Sequence, residues 1–385
     1  MTEMSAPGAM AEGRLVRGRL VLPDRVAPGR VVVQDGAIAR VELDDAEAAG
    51  PWIMPGFVDV HVHGWGGHDA MGGAVALDGM ARALLRHGVT SFLPTAVTAP
   101  LDALRAFADC VREWSPSAPF DGAQPLGFDL EGPFISPQRA GAQNPAFIRA
   151  PAGTGLAELE PLLDSLRLTT VAPEVPGGLD LIRWLAGRGA AVSLGHSAAT
   201  AAEAQAGYDA GARGTTHLFN AMSGVHHHAP GLVAVALARD EVHVELVADG
   251  HHVSPILWPL IVRTKPASRL VLVSDALSLA GTGGGRARVG GLEVEVDGDR
   301  CTLAGTDTLA GSVIALDTAV RNLALAGFEL PRIAAAASAN PLALIGVSDR
   351  GRIAPGLRAD LVELDEAFRV RRMMRRGRWF AAAPA

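Results

Sequence analysis

The chain has 385 residues, 34 basic and 41 acidic side chains, a formal net charge of −7 and 49% apolar residues. That composition supports a large core and excludes disorder, and the acidic balance gives no footprint for nucleic acid or an anionic membrane surface. No apolar run reaches the roughly 20 residues of a membrane helix, no secretion-type N-terminal pattern is present, and two cysteines, Cys110 and Cys301, are too few for a disulfide framework, so a cytoplasmic globular protein is expected.

Residues 14–45 read as short strands with a turn at Asp35-Gly36, and Gly351–Phe380 reads the same way. The two ends are expected to pair as a small β-sandwich domain, residues 1–55 plus 346–385. Between them, short β-branched runs alternate with alanine-rich helical stretches, the pattern of βαβ units. Strands are predicted near 57–63, 89–95, 125–131, 168–174, 191–196, 213–218, 242–248 and 270–275. Helices are predicted near 74–87, 101–114, 155–166, 177–188, 198–211, 230–239, 254–263, 312–327 and 331–338. Eight strand–helix units predict an α/β fold, a TIM-like (β/α)8 barrel over 56–345, with a hairpin inserted near 282–304.

The active sites of such barrels lie at the C-terminal ends of the strands. Here those ends carry His61 and His63 (FVDVHVHG), Glu131 (PLGFDLEG), His196 (AVSLGHS), His217 (GTTHLFN) and Asp275 (LVLVSDA). Residues i and i+2 of a strand share a face, so His61 and His63 point together into the barrel mouth. Taken one at a time, a His ending a strand is an ordinary buried polar residue. Six such residues on five strands of one barrel form a site for Zn²⁺, Fe²⁺ or a similar divalent ion.

PGFVDVHVHG, LEGPF, SLGHS, THLFNAM, ADGHHV, LVSDA and TLAGS, in that order, resemble the N-acetylglucosamine-6-phosphate deacetylases of the amidohydrolase superfamily. The resemblance spans nearly the whole chain; LEGPF and HLFNAM carry its specificity, whereas His-x-His and the closing NP…GRIAPGLRADLVELD are superfamily signals. It implies Glu131, His196 and His217 as ligands of a main metal site. It implies His61 and His63, with Asp275, at a second, so that one or two ions bind, Zn first and Fe, Co or Mn otherwise. Many amidohydrolases bridge two metals with a carboxylated lysine. The only lysine here, Lys265, lies in the helix before strand eight, so Glu131 is the natural bridge.

The resemblance also makes Asp275 the general acid/base, with His252 holding substrate and polarising its carbonyl. Asn220, Ala221, His228, Gln143 and Leu309 join His252 as substrate-binding positions. A homodimer acting on a small amino sugar is implied, with no nucleic acid or membrane partner.

The chain departs from this family where the family binds a 6-phosphate. His228 stands where the family has Arg (HHREPG-like segments), Gln143 replaces the His of GAHNP, and Asp129 replaces a His two residues before Glu131. Arginine is always charged and grips phosphate bidentately, whereas His offers one donor per ring nitrogen and Gln has no charge. Either another cation, such as Arg139, Arg149 or a neighbouring subunit's residue, compensates, or the substrate lacks the phosphate. Two further readings are another amidohydrolase activity, against which LEGPF and HLFNAM stand, and a non-catalytic barrel, which predicts eroded ligand positions. His251, His68, His87 and His243 read as structural.

Overall fold

A computed structural model describes residues 14–44 and 50–383. The expected small domain's residues 1–13, 45–49 and 384–385 lie outside the described residues.

All eight barrel strands are present and pair in sequence order, each parallel to the next. They run Phe57–Val62, Val89–Ala96, Phe128–Glu131, Leu166–Val171, Ala191–Leu194, Gly214–Thr215, His243–Leu246 and Leu270–Leu272. The barrel closes just beyond the last strand. There the Asp275 amide donates to the His61 carbonyl at 3.0 Å and the His63 amide to the Ala276 carbonyl at 2.9 Å. Amphipathic helices such as Leu101–Trp114 bury Leu104, Phe107, Ala108 and Val111 against the outside of the sheet; Phe107 meets Phe128 edge to face at 5.6 Å.

Six strands end before the limit their hydrophobic pattern predicts, and in three of them the cause is local backbone geometry. His196, His217 and Asp275 have φ of 44°, 25° and 51°, in the left-handed region that ordinary strand residues avoid. The ladder ends where the chain turns to aim these side chains. The last helical stretch overruns its prediction: Leu330–Ala334 continues through a π-helical turn, Ala335–Ala339, into Asn340–Leu344. Pro341 reads in sequence as a breaker because it lacks an N–H. The widened turn just before it carries the helix past that position.

The predicted hairpin at 282–304 is instead a four-stranded antiparallel sheet, Gly285–Val289, Leu292–Asp297, Arg300–Leu303 and Leu309–Gly311. Its last strand, Leu-Ala-Gly, is too short to announce itself in the sequence. The sheet packs Val289, Val294 and Cys301 onto Val97 and Leu277 above the barrel mouth.

The chain ends form one seven-stranded sheet. Its hydrogen-bonded order is 378–381, 370–375, 361–364, 52–55, 14–21, 26–34 and 37–43. The sheet wraps, sandwich-like, around its own core of Val16, Leu20, Val31, Val33, Ile38, Ile53, Leu361 and Met374. Trp52–Pro55 belongs to this sheet, the barrel starts at Phe57 and the last helix ends at Leu344. We therefore propose domain boundaries at 55/56 and 345/346.

Lys265, 2% exposed, closes the helix Trp258–Thr264. Its Nζ donates to the Ala236 carbonyl at 2.9 Å and the Arg239 carbonyl at 2.5 Å. Burial lowers its pKa from 10.5 to about 8. Between those values the unfolded chain binds more protons than the folded one, so stability rises with pH there. Lys265→Met should strip a donor from both carbonyls, cost about 1–3 kcal/mol and abolish that rise. Chemical denaturation from about pH 8 to 10.5 measures both effects.

Candidate active site

The strand ends bring all six predicted ligand residues to one place, each at most 6% exposed. Their donor atoms fall into two groups, Glu131–His196–His217 and His61–His63–Asp275, with the atoms of each group within 4.8 Å of one another. Glu131 joins the groups. Its Oε1 lies 3.0 Å from His196 Nε2 and 2.7 Å from His217 Nε2. Its Oε2 lies 3.3 Å from His63 Nε2. Asp275 Oδ1 is 3.4 Å from His63 Nε2 and 3.6 Å from His61 Nε2.

The imidazole protons identify what such a site needs. His63 Nδ1 faces the Thr95 carbonyl at 3.1 Å and His196 Nδ1 the Arg139 carbonyl at 2.8 Å. A carbonyl only accepts, so each Nδ1 carries the proton and, in the neutral ring, each Nε2 presents a lone pair to the centre. His61 Nδ1 is held likewise by Glu245 Oε2 at 3.2 Å. Yet His61 and His63 Nε2 lie 3.2 Å apart, and those of His196 and His217 3.1 Å apart. Acceptors facing acceptors, with two carboxylates among them and every one nearly buried, call for a positive charge at the centre. Nitrogen and oxygen donors in groups of three, with room for further ligands, suit a divalent metal ion.

The ionisation directions show the same pull for positive charge at the centre, which a proton on the imidazole meets when no metal ion does. Burial opposes charge on His63, but hydrogen bonds to Asp275 and Glu131 outweigh it and push its pKa up to about 9. Burial likewise opposes charge on Asp275, but the hydrogen bond from His63 and the charge of His61 bring it to about 2.

The remaining predicted residues divide between the cavity and the outside. A cavity of about 450 Å³ opens over the ligands, and Asn220, Ala221, His252, Gln143 and Leu309 line it, together with Val289 and Val294 of the inserted sheet. His252 Nε2 lies 3.6 Å from Asp275 Oδ2, and its Nδ1 is fixed by Asp249 Oδ2 at 2.6 Å. Gln143 is engaged on both sides of its amide. Its Oε1 accepts from the Thr98 amide at 2.7 Å, which turns Nε2 toward Glu131 Oε2 as donor. His228 does not line this cavity. It is exposed, its ring 4.0 Å from that of His227. His251 pairs with Asp299 of the inserted sheet at 2.9 Å, and His87 with Asp317 at 3.2 Å, as structural histidines do.

Several residues that matter here escaped the sequence reading or, like Asp129, were noted there only as a departure from the family. Glu245 Oε2 holds both the His61 ring and, at 3.1 Å, the His217 amide. Its signal was present, an acid inside the apolar run HVELV. Asp59 and Asp129 share their strand parity with His61 and Glu131 and are fully buried. Burial pushes their pKa values up to about 6 and about 7. Asp249 and the Arg139 carbonyl could not have been found from spacing.

The amidohydrolase family model matches residues 52–380. The chain belongs to the amidohydrolase family. It is 38% identical to an N-acetylgalactosamine-6-phosphate deacetylase of Escherichia coli O157:H7, over 90% of this chain and 93% of that one. It is also 38% identical to the human N-acetylglucosamine-6-phosphate deacetylase, over 86% and 84%. Among solved structures, the N-acetylglucosamine-6-phosphate deacetylase of Thermotoga maritima superposes with a TM-score of 0.90 at 34% identity, covering 96% of this chain and all of that one. A D267A mutant of the Mycobacterium smegmatis enzyme, solved with N-acetyl-D-glucosamine-6-phosphate, gives 0.88 at 31% identity, covering 96% and 99%.

Glu131 joins the two candidate ligand groups, Oε1 meeting His196 and His217 and Oε2 meeting His63. Glu131→Gln replaces one of those oxygens by an amide donor aimed at lone pairs. Metal content measured by mass spectrometry should drop at both sites, and turnover with it. Full metal content in this variant would show that the ion does not rest on Glu131.

Proposed function

We propose that this chain is a metal-dependent deacetylase that hydrolyses the N-acetyl amide of a hexosamine 6-phosphate to the free amine and acetate. N-acetylglucosamine 6-phosphate is the substrate named for most of the similar proteins. The observation that carries the reading is the convergence of two lone-pair triads on Glu131 beside Asp275, at the floor of a cavity large enough for a sugar. We take Glu131, His196 and His217 to hold one ion, and His61, His63 and Asp275 to hold a second. Zn²⁺ is the first choice for such nitrogen and oxygen donors, with Fe, Co or Mn as alternatives. A divalent ion here supplies Lewis acidity and lowers the pKa of water toward roughly 7.

The chain's own groups then do the proton chemistry. Asp275, held ionised, accepts a proton from the attacking water as the new C–O bond forms at the acetamide carbon. It returns that proton to the leaving nitrogen as the C–N bond breaks. His252, its ring locked by Asp249, faces both Asp275 and the cavity, where it orients the acetamide. The inserted sheet roofs the cavity and limits water.

A cytoplasmic setting fits the two free thiols, Cys110 and Cys301, and no described helix is long and apolar enough to cross a membrane. A homodimer is adopted from the family resemblance.

The deciding experiment compares acetate release from N-acetylglucosamine and N-acetylgalactosamine, each with and without a 6-phosphate, before and after metal chelation. The phosphorylated glucosamine should be preferred and chelation should abolish turnover. Equal or better turnover of the neutral sugars would move the reading to a deacetylase of unphosphorylated amino sugars, for which the exposed His228 already argues. Asp275→Asn should lower kcat by roughly 10²–10⁴-fold while the ion on Glu131, His196 and His217 is retained. Near-normal kcat would hand the proton to another group.

A further inference from the structure

The cavity's charge balance poses a question that the family resemblance leaves open. Its lining residues include Glu131, Asp275 and Asp307, and Arg139 is the one Arg or Lys among them. With Glu131 and Asp275 engaged by metal ions, Arg139 is the one fixed positive side chain of the lining that an anionic sugar could meet. His228 is exposed and outside the lining, and Arg149 is outside it as well.

Arg139 is also held firmly while its side chain stays free. It ends the short helical turn Pro137–Arg139, its amide donates to the Ser136 carbonyl at 3.0 Å, and its own carbonyl receives His196 Nδ1. Four residues on, the loop returns to the candidate metal centre, where Gln143 donates to Glu131. Gly141, with φ of 57°, lies so close that a Cβ there would sit 3.3 Å from the His196 ring. The loop is therefore pinned to two candidate ligand residues, whereas Arg139 is an exposed residue that makes no salt bridge among the described residues. An unpaired fork of donors on a fixed stem at the rim of the cavity is an arrangement suited to capturing a phosphate bidentately.

We infer that Arg139 is the specificity residue of this enzyme: it binds the phosphate of the substrate from within the same chain, replacing the arginine that His228 displaced. The inference rests on the reading of the substrate as a sugar phosphate. It also makes the loop 137–143 a mechanical link, since the residue that grips the anion orients a metal-ligand imidazole through its own carbonyl.

Arg139→Met keeps that carbonyl and removes only the charged fork. With metal-loaded enzyme, the ratio of kcat/KM for phosphorylated over unphosphorylated N-acetylglucosamine should fall about 10–100-fold, mostly through KM, and Arg139→Lys should restore part of it. Calorimetric binding of glucose 6-phosphate should weaken to the same extent, with glucose as the uncharged control. The proposal is overturned if Arg139→Met leaves the ratio unchanged, if both sugars lose equally, or if His228→Ala produces the loss instead. Should no acetylated sugar be hydrolysed, the functional reading fails, and glucose 6-phosphate binding still decides for or against Arg139.

Discussion

The structure depends on one electrostatic constraint: lone pairs of several nearly buried side chains face one another at the barrel mouth. Left alone, such a cluster repels itself, and the low dielectric of the barrel magnifies the repulsion. The chain is arranged to hold it anyway. Carbonyls of Thr95 and Arg139 and the carboxylate of Glu245 take the imidazole protons on the outer side, so the inner nitrogens have nothing to bind except a cation. Backbone bonds from Asp275 and Ala276 to the first strand close the barrel at the height of the site. Barrel closure and ligand placement are thus one set of hydrogen bonds.

That constraint also explains why three of the candidate ligand residues have left-handed backbones. An extended chain would send alternate side chains up and down the sheet normal, and a strand end offers few ways to aim an imidazole across the mouth. Turning φ positive at His196, His217 and Asp275 redirects them, at a cost of order 1–3 kcal/mol each. The dense packing of the surrounding helices and strands holds these conformations in place.

Much of this was legible in the sequence. The β-branched runs gave all eight strands, and a polar residue closing each of five of them located the site, because one such residue is ordinary whereas six converging on one barrel mouth are not. The ends of three of those strands were misjudged because a hydrophobic pattern reports burial and is blind to φ. Gln143 illustrates a different limit. Its type departs from the family's His, but only the three-dimensional bond from the Thr98 amide reveals that it serves Glu131. The inserted sheet was half visible, since Asp297-Gly298 and Gly290-Gly291 mark turns, whereas Leu309–Gly311 pairs through backbone alone and carries no pattern.

The order of strands in the terminal sheet bears on how the protein is made. Trp52–Pro55 lies between Arg14–Val21 on one side and Leu361–Leu364 on the other. During synthesis the first half of that sheet emerges early, yet one edge of Trp52–Pro55 has no partner until more than 300 further residues have followed. An unpaired edge rich in apolar side chains is an aggregation hazard for as long as it waits. All the barrel residues emerge while that seam is open, and the C-terminal strands alone can seal it. A ribosome that stops short of residue 361 would release a chain with its candidate site residues all present and its seam unsealed.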